Sequence, residues 1–341
     1  MQASSLLAGA GIGEPRSNAN LLLCHILGLT KAELIRDWHE PMPEPLFEHW
    51  AALIARKAAG EPVQYLIGEG WFYGRPFTVT PAVLIPRPET ELLVEAVMEA
   101  ADKLWPAAGA GPVPTVVDVG TGSGAIAVTL SAERPSWRLF ASDLSPDALA
   151  VANRNAARHA ATERITFVQG DLLLPFVPDG GAGHLADAEA GNDAGESSAG
   201  DGEDAMDDSV EAVEAAAVRD SNGAGDKRTA VTLSGLGIDV LVSNPPYIPA
   251  ADIPGLQPEV RDYEPRLALV GGDDGLEPYR RMALQLPQLA RLPRIVGFEL
   301  GIGQAQAVAE LLRAIGHWDD IRIITDYGGI DRHVLAIRHT E

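Results

Sequence analysis

An α/β fold is predicted, a doubly wound and mainly parallel sheet preceded by a small helical domain. Three observations predict it. Beyond residue 115, short apolar runs that end on a polar residue alternate with stretches of helical period. A glycine-rich turn stands directly after the first of those runs, and the first 70 residues show helical periods punctuated by proline and glycine.

In chain order, Ala19 to Leu29 and Leu46 to Ala59 are helical stretches separated by turn signals at Gly28, Pro41, Pro43, Pro45, Gly60 and Pro62. They assign residues 1–70 to the helical domain. The segment from Trp71 to Thr80 is rich in strand formers around a glycine-containing turn, which makes 71–87 a hairpin linker whose aromatics are expected to pack. The remaining domain, 88–341, opens with a helix after Pro88, on the spacing of Leu92, Leu93, Ala96, Val97 and Ala100. A buried strand Thr115 to Val119 follows, then a helix to Glu133, a strand Arg138 to Ser142, a helix Pro146 to Ala160 and a strand Ile165 to Gln169. Ile238 to Ser243 is a further strand. In such a sheet ligands sit at the carboxyl ends of the strands, and Asp118, Asp143, Asp171 and Asn244 fall at or just beyond those ends.

A length of 341 residues with 46% hydrophobic content suffices for a large domain and a smaller one. The net charge of −22 excludes a broad basic surface for duplex nucleic acid, whose affinity comes from Lys and Arg on phosphates. Residues 179–228 hold 14 Asp or Glu against 3 Lys or Arg, half of that charge, with no aromatic side chain. Such a composition cannot bury enough apolar surface to offset the entropy of ordering, so a disordered insertion on a loop is expected. Cys24 is the single cysteine, which leaves no intramolecular disulfide. The run Leu21 to Leu29 is too short to span a bilayer, and no basic start of a secretion signal is visible. A cytoplasmic, monomeric protein without a membrane partner or a metal is expected.

The glycines of Asp118-Val119-Gly120-Thr121-Gly122-Ser123-Gly124 let the backbone turn sharply and approach a ligand without Cβ obstruction. Asp143 ends the next strand, where a carboxylate can accept both hydroxyls of a ribose, and Asp171 with Leu172 suits an adenine amino group and ring. A nucleoside-containing cofactor is implied. The spacing departs from the Gly-x-Gly-x-x-Gly dinucleotide pattern, yet NAD stays open on these residues alone; S-adenosylmethionine, whose cationic sulfonium suits a nearby Asp118, is the other reading.

Asn244-Pro245-Pro246-Tyr247 directly follows a strand and offers a side-chain amide, a backbone carbonyl outside any regular ladder and an aromatic face. With the glycine turn it suits a planar NH2 group and points to methylation of an amide-like nitrogen.

These motifs, together with Gly60 to Gly68, Leu84-Ile85-Pro86-Arg87-Pro88-Glu89-Thr90-Glu91, Glu264 to Leu269, Phe298 to Gly301 and Asp326 to Arg332, resemble the class I S-adenosylmethionine-dependent methyltransferases. More narrowly, they resemble the release factor glutamine methyltransferase family, the HemK or PrmC proteins. The resemblance implies a seven-stranded methyltransferase sheet, a helical N-terminal domain that helps bind the protein substrate, and methylation of the glutamine in the Gly-Gly-Gln motif of class I peptide chain release factors. It implies that Asp118, Gly120, Thr121, Gly122, Ser123, Gly124, Asp143, Asp171, Leu172 and Asn244 hold S-adenosyl-L-methionine, and that Asn244, Pro245, Pro246 and Tyr247 hold the substrate. Asn244 Oδ1 and the Pro245 carbonyl are expected to accept the two amide N–H bonds, with the Tyr247 ring on the amide plane and Pro246 stiffening the turn. Arg87, Thr90 and Glu91 read equally as a cofactor or substrate clamp and as an acidic helix start, while Glu299, Tyr327 and Arg332 are expected to be structural. Leu172 departs from the tryptophan some members carry there, and the acidic insertion is unusual for the family. A glutamine in a ribosomal protein, an adenine N6 in DNA, and a non-catalytic assembly role remain as alternatives.

Overall fold

The computed structural model describes residues 2–106, 112–178, 233 and 235–339, so the acidic stretch 179–228 lies outside the described residues. Five helices open the chain: α1 (Gln2–Gly9), α2 (Pro15–Leu27), α3 (Lys31–Arg36), α4 (Phe47–Ala58) and α5 (Val63–Ile67). Leu7, Leu22, Leu53, Ile54, Val63 and Leu66 form an apolar cluster of their own. Each lies on the apolar stripe of its helix, and no one helix is long enough to be stable without its neighbours.

An antiparallel hairpin follows, β1 (Glu69–Phe72) and β2 (Arg75–Thr78). Phe72 and Phe77 are buried edge to face, with ring centroids 6.1 Å apart. Trp71 does not pack as expected: it is 63% exposed. Strand alternation turns Phe72 inward and therefore Trp71 outward.

The rest builds the sheet: α6 (Pro88–Leu104), β3 (Thr115–Val119), α7 (Ala125–Glu133), β4 (Arg138–Asp143), α8 (Pro146–Arg158), β5 (Ile165–Gln169), β6 (Val240–Ser243), α9 (Pro258–Arg261), α10 (Glu277–Gln285), β7 (Ile295–Glu299), α11 (Ala305–Ile315), β8 (Asp320–Thr325) and β9 (Asp331–Ile337). Seven strands lie in the order β5-β4-β3-β6-β7-β9-β8. The five from β5 to β7 are parallel, and β9 runs antiparallel to both its neighbours. The doubly wound, mainly parallel, seven-stranded sheet expected from the sequence is therefore present.

All five residues of β3 are buried, because a central parallel strand is covered on both faces. Val116 joins the cluster containing Leu93 and Val97 of α6 and Ile126 of α7, while Val117 and Val119 join the one containing Met282 of α10 and Leu312 of α11. Helix α7 is nearly all small or aliphatic, so it can be enclosed on every side. Successive strands step away from β3 in one direction through β4 and β5, and in the other through β6 and β7. The switch point lies between the carboxyl ends of β3 and β6, where such sheets open a crevice.

The helical segment meets the sheet domain at few polar contacts. Lys57 Nζ, held by Glu61 O of its own segment at 3.0 Å, donates across to Glu259 Oε1 at 3.3 Å, Tyr263 Oη donates to Ala59 O at 3.1 Å, and Arg158 Nη2 donates to Glu69 Oε2 at 2.6 Å. Tyr327 lies 93% exposed between β8 and β9 and so does no packing there, whereas Arg332 is paired with Asp326 at 3.3 Å. Among the described residues no helix is long and apolar enough to cross a membrane.

Candidate active site

The crevice is a cavity of about 490 Å³. Gly120 to Ser123 line it where β3 ends, Asn244 and Pro246 where β6 ends, and Asp143, Asp171 and Leu172 where β4 and β5 end. Gly120 and Gly122 have φ of 71° and 55°, and a Cβ at either would meet nothing within 4 Å, so the backbone itself forms an open wall.

Four of the five amide groups from Gly120 to Gly124 are already committed. Gly120 N and Thr121 N donate to Ser142 O at 2.8 and 2.9 Å, Gly122 N donates to Asp143 Oδ2 at 2.8 Å, and Gly124 N donates to Thr121 O at 2.8 Å. A pyrophosphate needs a nest of free N–H groups, and this turn does not present one. The carboxylates of Asp143 and Asp171 beside it further disfavour a dinucleotide and suit a nucleoside carrying a cationic or zwitterionic arm. The NAD alternative is thereby set aside, and the wall fits S-adenosylmethionine.

Asp118 and Gly124 stand behind that wall. Asp118 shares the α7-facing side of β3 with Val116 and is fully buried; its Oδ2 accepts from Thr121 Oγ1 at 2.7 Å and Ala127 N at 3.2 Å. Burial pushes its carboxyl up to about 7. It braces the turn instead of facing a cationic ligand, because strand alternation points it away from the crevice. A Cβ on Gly124 (φ 79°) would come 3.2 Å from Ala152 Cα, so this glycine permits the close approach of α7 and α8. Asp143 accepts from Gly122 N and Ser145 N, and burial raises its pKa. Asp171 is paired with Arg281 Nη2 of α10, a partner 110 positions away that no local pattern announces. Leu172 adopts φ 52°, a left-handed conformation unusual for a leucine, at the cavity edge.

On the other side, Asn244 Nδ2 donates to Thr90 Oγ1 at 3.1 Å, and among the described residues no group donates to Asn244 Oδ1 or to the Pro245 carbonyl. Pro245 itself is buried behind the wall. Tyr247 also stands back from the cavity, packed among the core residues around Phe298, with its hydroxyl donating to Glu299 Oε1 at 3.4 Å. Burial, and then the Glu299 charge, raise its pKa. The expected stacking face is thus turned to the core in this conformation. The turn is clamped from outside: Gln304 Nε2 donates to Tyr247 O at 2.9 Å, and Gln304 Oε1 accepts from Gly301 N at 2.8 Å. Segment 271–275 lies so close that a Cβ on Gly271 would sit 2.7 Å from Pro246 O, and one on Gly275 would overlap Tyr247 O.

Of the residues read two ways from sequence, Arg87 and Thr90 line the cavity, and Arg87 Nη2 bridges both oxygens of buried Glu264 at 2.7 and 2.8 Å. Glu91 instead accepts from Tyr73 N at 2.7 Å and fastens the hairpin to α6. Sequence reasoning missed Asn155, wholly buried in α8, which ties Ser123 O of the glycine turn to Thr78 of the hairpin. It also missed Gln304, Gly271 and Gly275.

A sheet of this topology, with a glycine turn at β3 and an Asn-Pro-Pro-Tyr turn at β6, defines a methyltransferase, and a family model described as a methyltransferase domain matches residues 116–182. A second, described as the PrmC N-terminal domain, matches residues 1–68. The release factor glutamine methyltransferase of Moorella thermoacetica is 38% identical over 98% of this chain and 95% of its own length. Those of Chlorobaculum tepidum and Bacillus subtilis are 39% and 34% identical, covering 94% and 99% of this chain and 90% and 96% of their own lengths. The chain belongs to the release factor glutamine methyltransferase family.

Proposed function

We propose that this protein methylates N5 of the glutamine in the Gly-Gly-Gln motif of class I peptide chain release factors, in the cytoplasm and as a monomer. S-adenosylmethionine, when bound, supplies an electrophilic methyl group on a sulfonium. The observation that carries the reading is Asn244 lining one cavity with the glycine turn, its Oδ1 and the adjoining Pro245 carbonyl both without a donor among the described residues.

A carboxamide nitrogen is a weak nucleophile because its lone pair is delocalised. Accepting both of its N–H bonds at Asn244 and Pro245 fixes its orientation, and that positioning is the main contribution these residues make. Alkylation sharply acidifies the nitrogen, so its proton leaves readily and no general base is assigned. Asp143 would accept from the ribose hydroxyls, with Leu172 against the adenine. Asp171 is shared with Arg281, so its call on the adenine amino group would compete with that ion pair.

Residues 1–70 are the proposed substrate-binding domain, 71–87 its link and 88–341 the transfer domain. The contacts of Lys57 and Ala59 with Glu259 and Tyr263 support this, since those two follow the Asn244 turn by fewer than 20 residues. The test is mass spectrometry of a purified class I release factor incubated with this protein and S-adenosylmethionine. One methyl on the Gly-Gly-Gln glutamine is expected. No gain, from a preparation that binds the cofactor, overturns the assigned substrate and directs the assay to ribosomal protein.

A further inference from the structure

An asparagine amide has nearly the same shape in either of its two flipped orientations, but only one presents an acceptor to an incoming NH2 group. The flipped side chain would set NH2 against NH2. Whatever engages Asn244 Nδ2, and so leaves Oδ1 open, therefore decides whether the site can take an amide. That group is Thr90 Oγ1, at 3.1 Å. A hydroxyl can donate as well as accept, so Thr90 alone does not fix the choice.

Glu299 does. When ionised, its Oε2 can only accept, and it accepts a hydrogen bond from the Thr90 hydroxyl at 2.5 Å, which leaves Thr90 Oγ1 as an acceptor toward Asn244. Glu299 is itself immobilised at the end of β7. It is 2% exposed, its main-chain oxygen accepts from Tyr279 Oη at 2.6 Å, and its Oε1 accepts from Tyr247 Oη at 3.4 Å. We propose that Thr90 and Glu299 are positioning residues that hold the Asn244 amide with its oxygen toward the substrate.

The proposal rests on reading Asn244 as the acceptor of the substrate amide. It makes turnover sensitive to the charge on Glu299. A protonated Glu299 donates to Thr90, the Thr90 proton then turns on Asn244, and the flipped amide is favoured. Burial raises the Glu299 carboxyl to about 7. The groups facing it are Thr90 and Glu89 of α6, Tyr247 after β6, and Arg332 and His333 of β9. His333 Nε2 is 4.0 Å away, and burial lowers its pKa to about 4, so it is neutral where Glu299 titrates.

The experiment measures kcat and KM on release factor, and the dissociation constant for S-adenosylmethionine, in Thr90→Val, Thr90→Ser, Glu299→Gln and Asn244→Ala. Thr90→Val keeps the shape and loses the acceptor. A fall in kcat of about tenfold to a hundredfold is expected, with KM and cofactor affinity within about twofold of the parent. Thr90→Ser should recover most of the rate, and Glu299→Gln should abolish the acid limb of the kcat profile near neutral pH. Parental kcat in Thr90→Val, an equal loss in Thr90→Val and Thr90→Ser, or an unchanged acid limb in Glu299→Gln overturns the proposal. If Asn244→Ala is inactive while Thr90→Val is not, the relay fails and the functional reading stands. If Asn244→Ala is fully active, that reading fails with it.

Discussion

On the β3 side the crevice is made of backbone, and on the β6 side it is made of side chains. Gly120 and Gly122 open their wall by having nothing on Cα, and four of the five amides of that turn are satisfied by residues no more than about two dozen positions away. The Asn244 turn is held by Thr90, 154 positions upstream, by Gln304, 57 positions downstream, and by glycines 271 and 275 pressed against its carbonyls. A cofactor common to many reactions needs an unobstructed cradle. A weakly nucleophilic amide needs its partners fixed to within a few tenths of an ångström, and a buried polar network supplies that rigidity.

The sharpest way to break the comparison is Asn244→Ala. It should lower kcat by about a hundredfold to a thousandfold while calorimetric affinity for S-adenosylmethionine stays near the parental value. A parallel loss of cofactor binding would show that the two walls are not separable.

One substitution can be made on both sides. Gly275→Ala drives a methyl group into Tyr247 O at a φ of 77°, and should cost roughly 2 kcal/mol or more in urea denaturation while reducing turnover. Gly122→Ala meets open space at φ 55° and should cost only about 1 kcal/mol, its main effect being weaker cofactor binding. Equal stability losses would contradict the difference in packing.

A smaller effect separates the two buried carboxyls, one behind each wall. Burial raises both Asp118 and Glu299 to about 7, above their ordinary values of 3.8 and 4.5. Between those ordinary values and 7 the folded protein retains protons that the unfolded chain has released. Stability therefore falls as pH rises through that window and levels above it. Asp118→Asn and Glu299→Gln should each flatten part of this slope in denaturation series at pH 5 to 8, and only Glu299→Gln should also change the pH dependence of kcat. A slope unchanged in both variants would place the titrating groups elsewhere.

The Gly120–Gly124 turn, the strands before and after it, and the Asn244–Tyr247 segment were legible because each is a local pattern, a period of 2 or 3.6 residues or a glycine where a Cβ is unwelcome. Glu299 read as merely structural and Thr90 as ambiguous for the opposite reason. Nothing around either residue in the chain indicates that they are hydrogen-bonded to each other across 209 positions. Asp118 misled because its place at a strand end was visible while the face it points to was not.

The sequence by itself determined the elements as far as the strand ending at Ser243, the family and the identity of the groups that meet an amide, since short-range sterics and hydrophobic period are written residue by residue. Only the tertiary structure decided which carboxylate braces and which lines the cavity, and which way the Asn244 amide faces. Those outcomes depend on side-chain direction and on partners brought together by sheet order, which no local stretch of chain encodes.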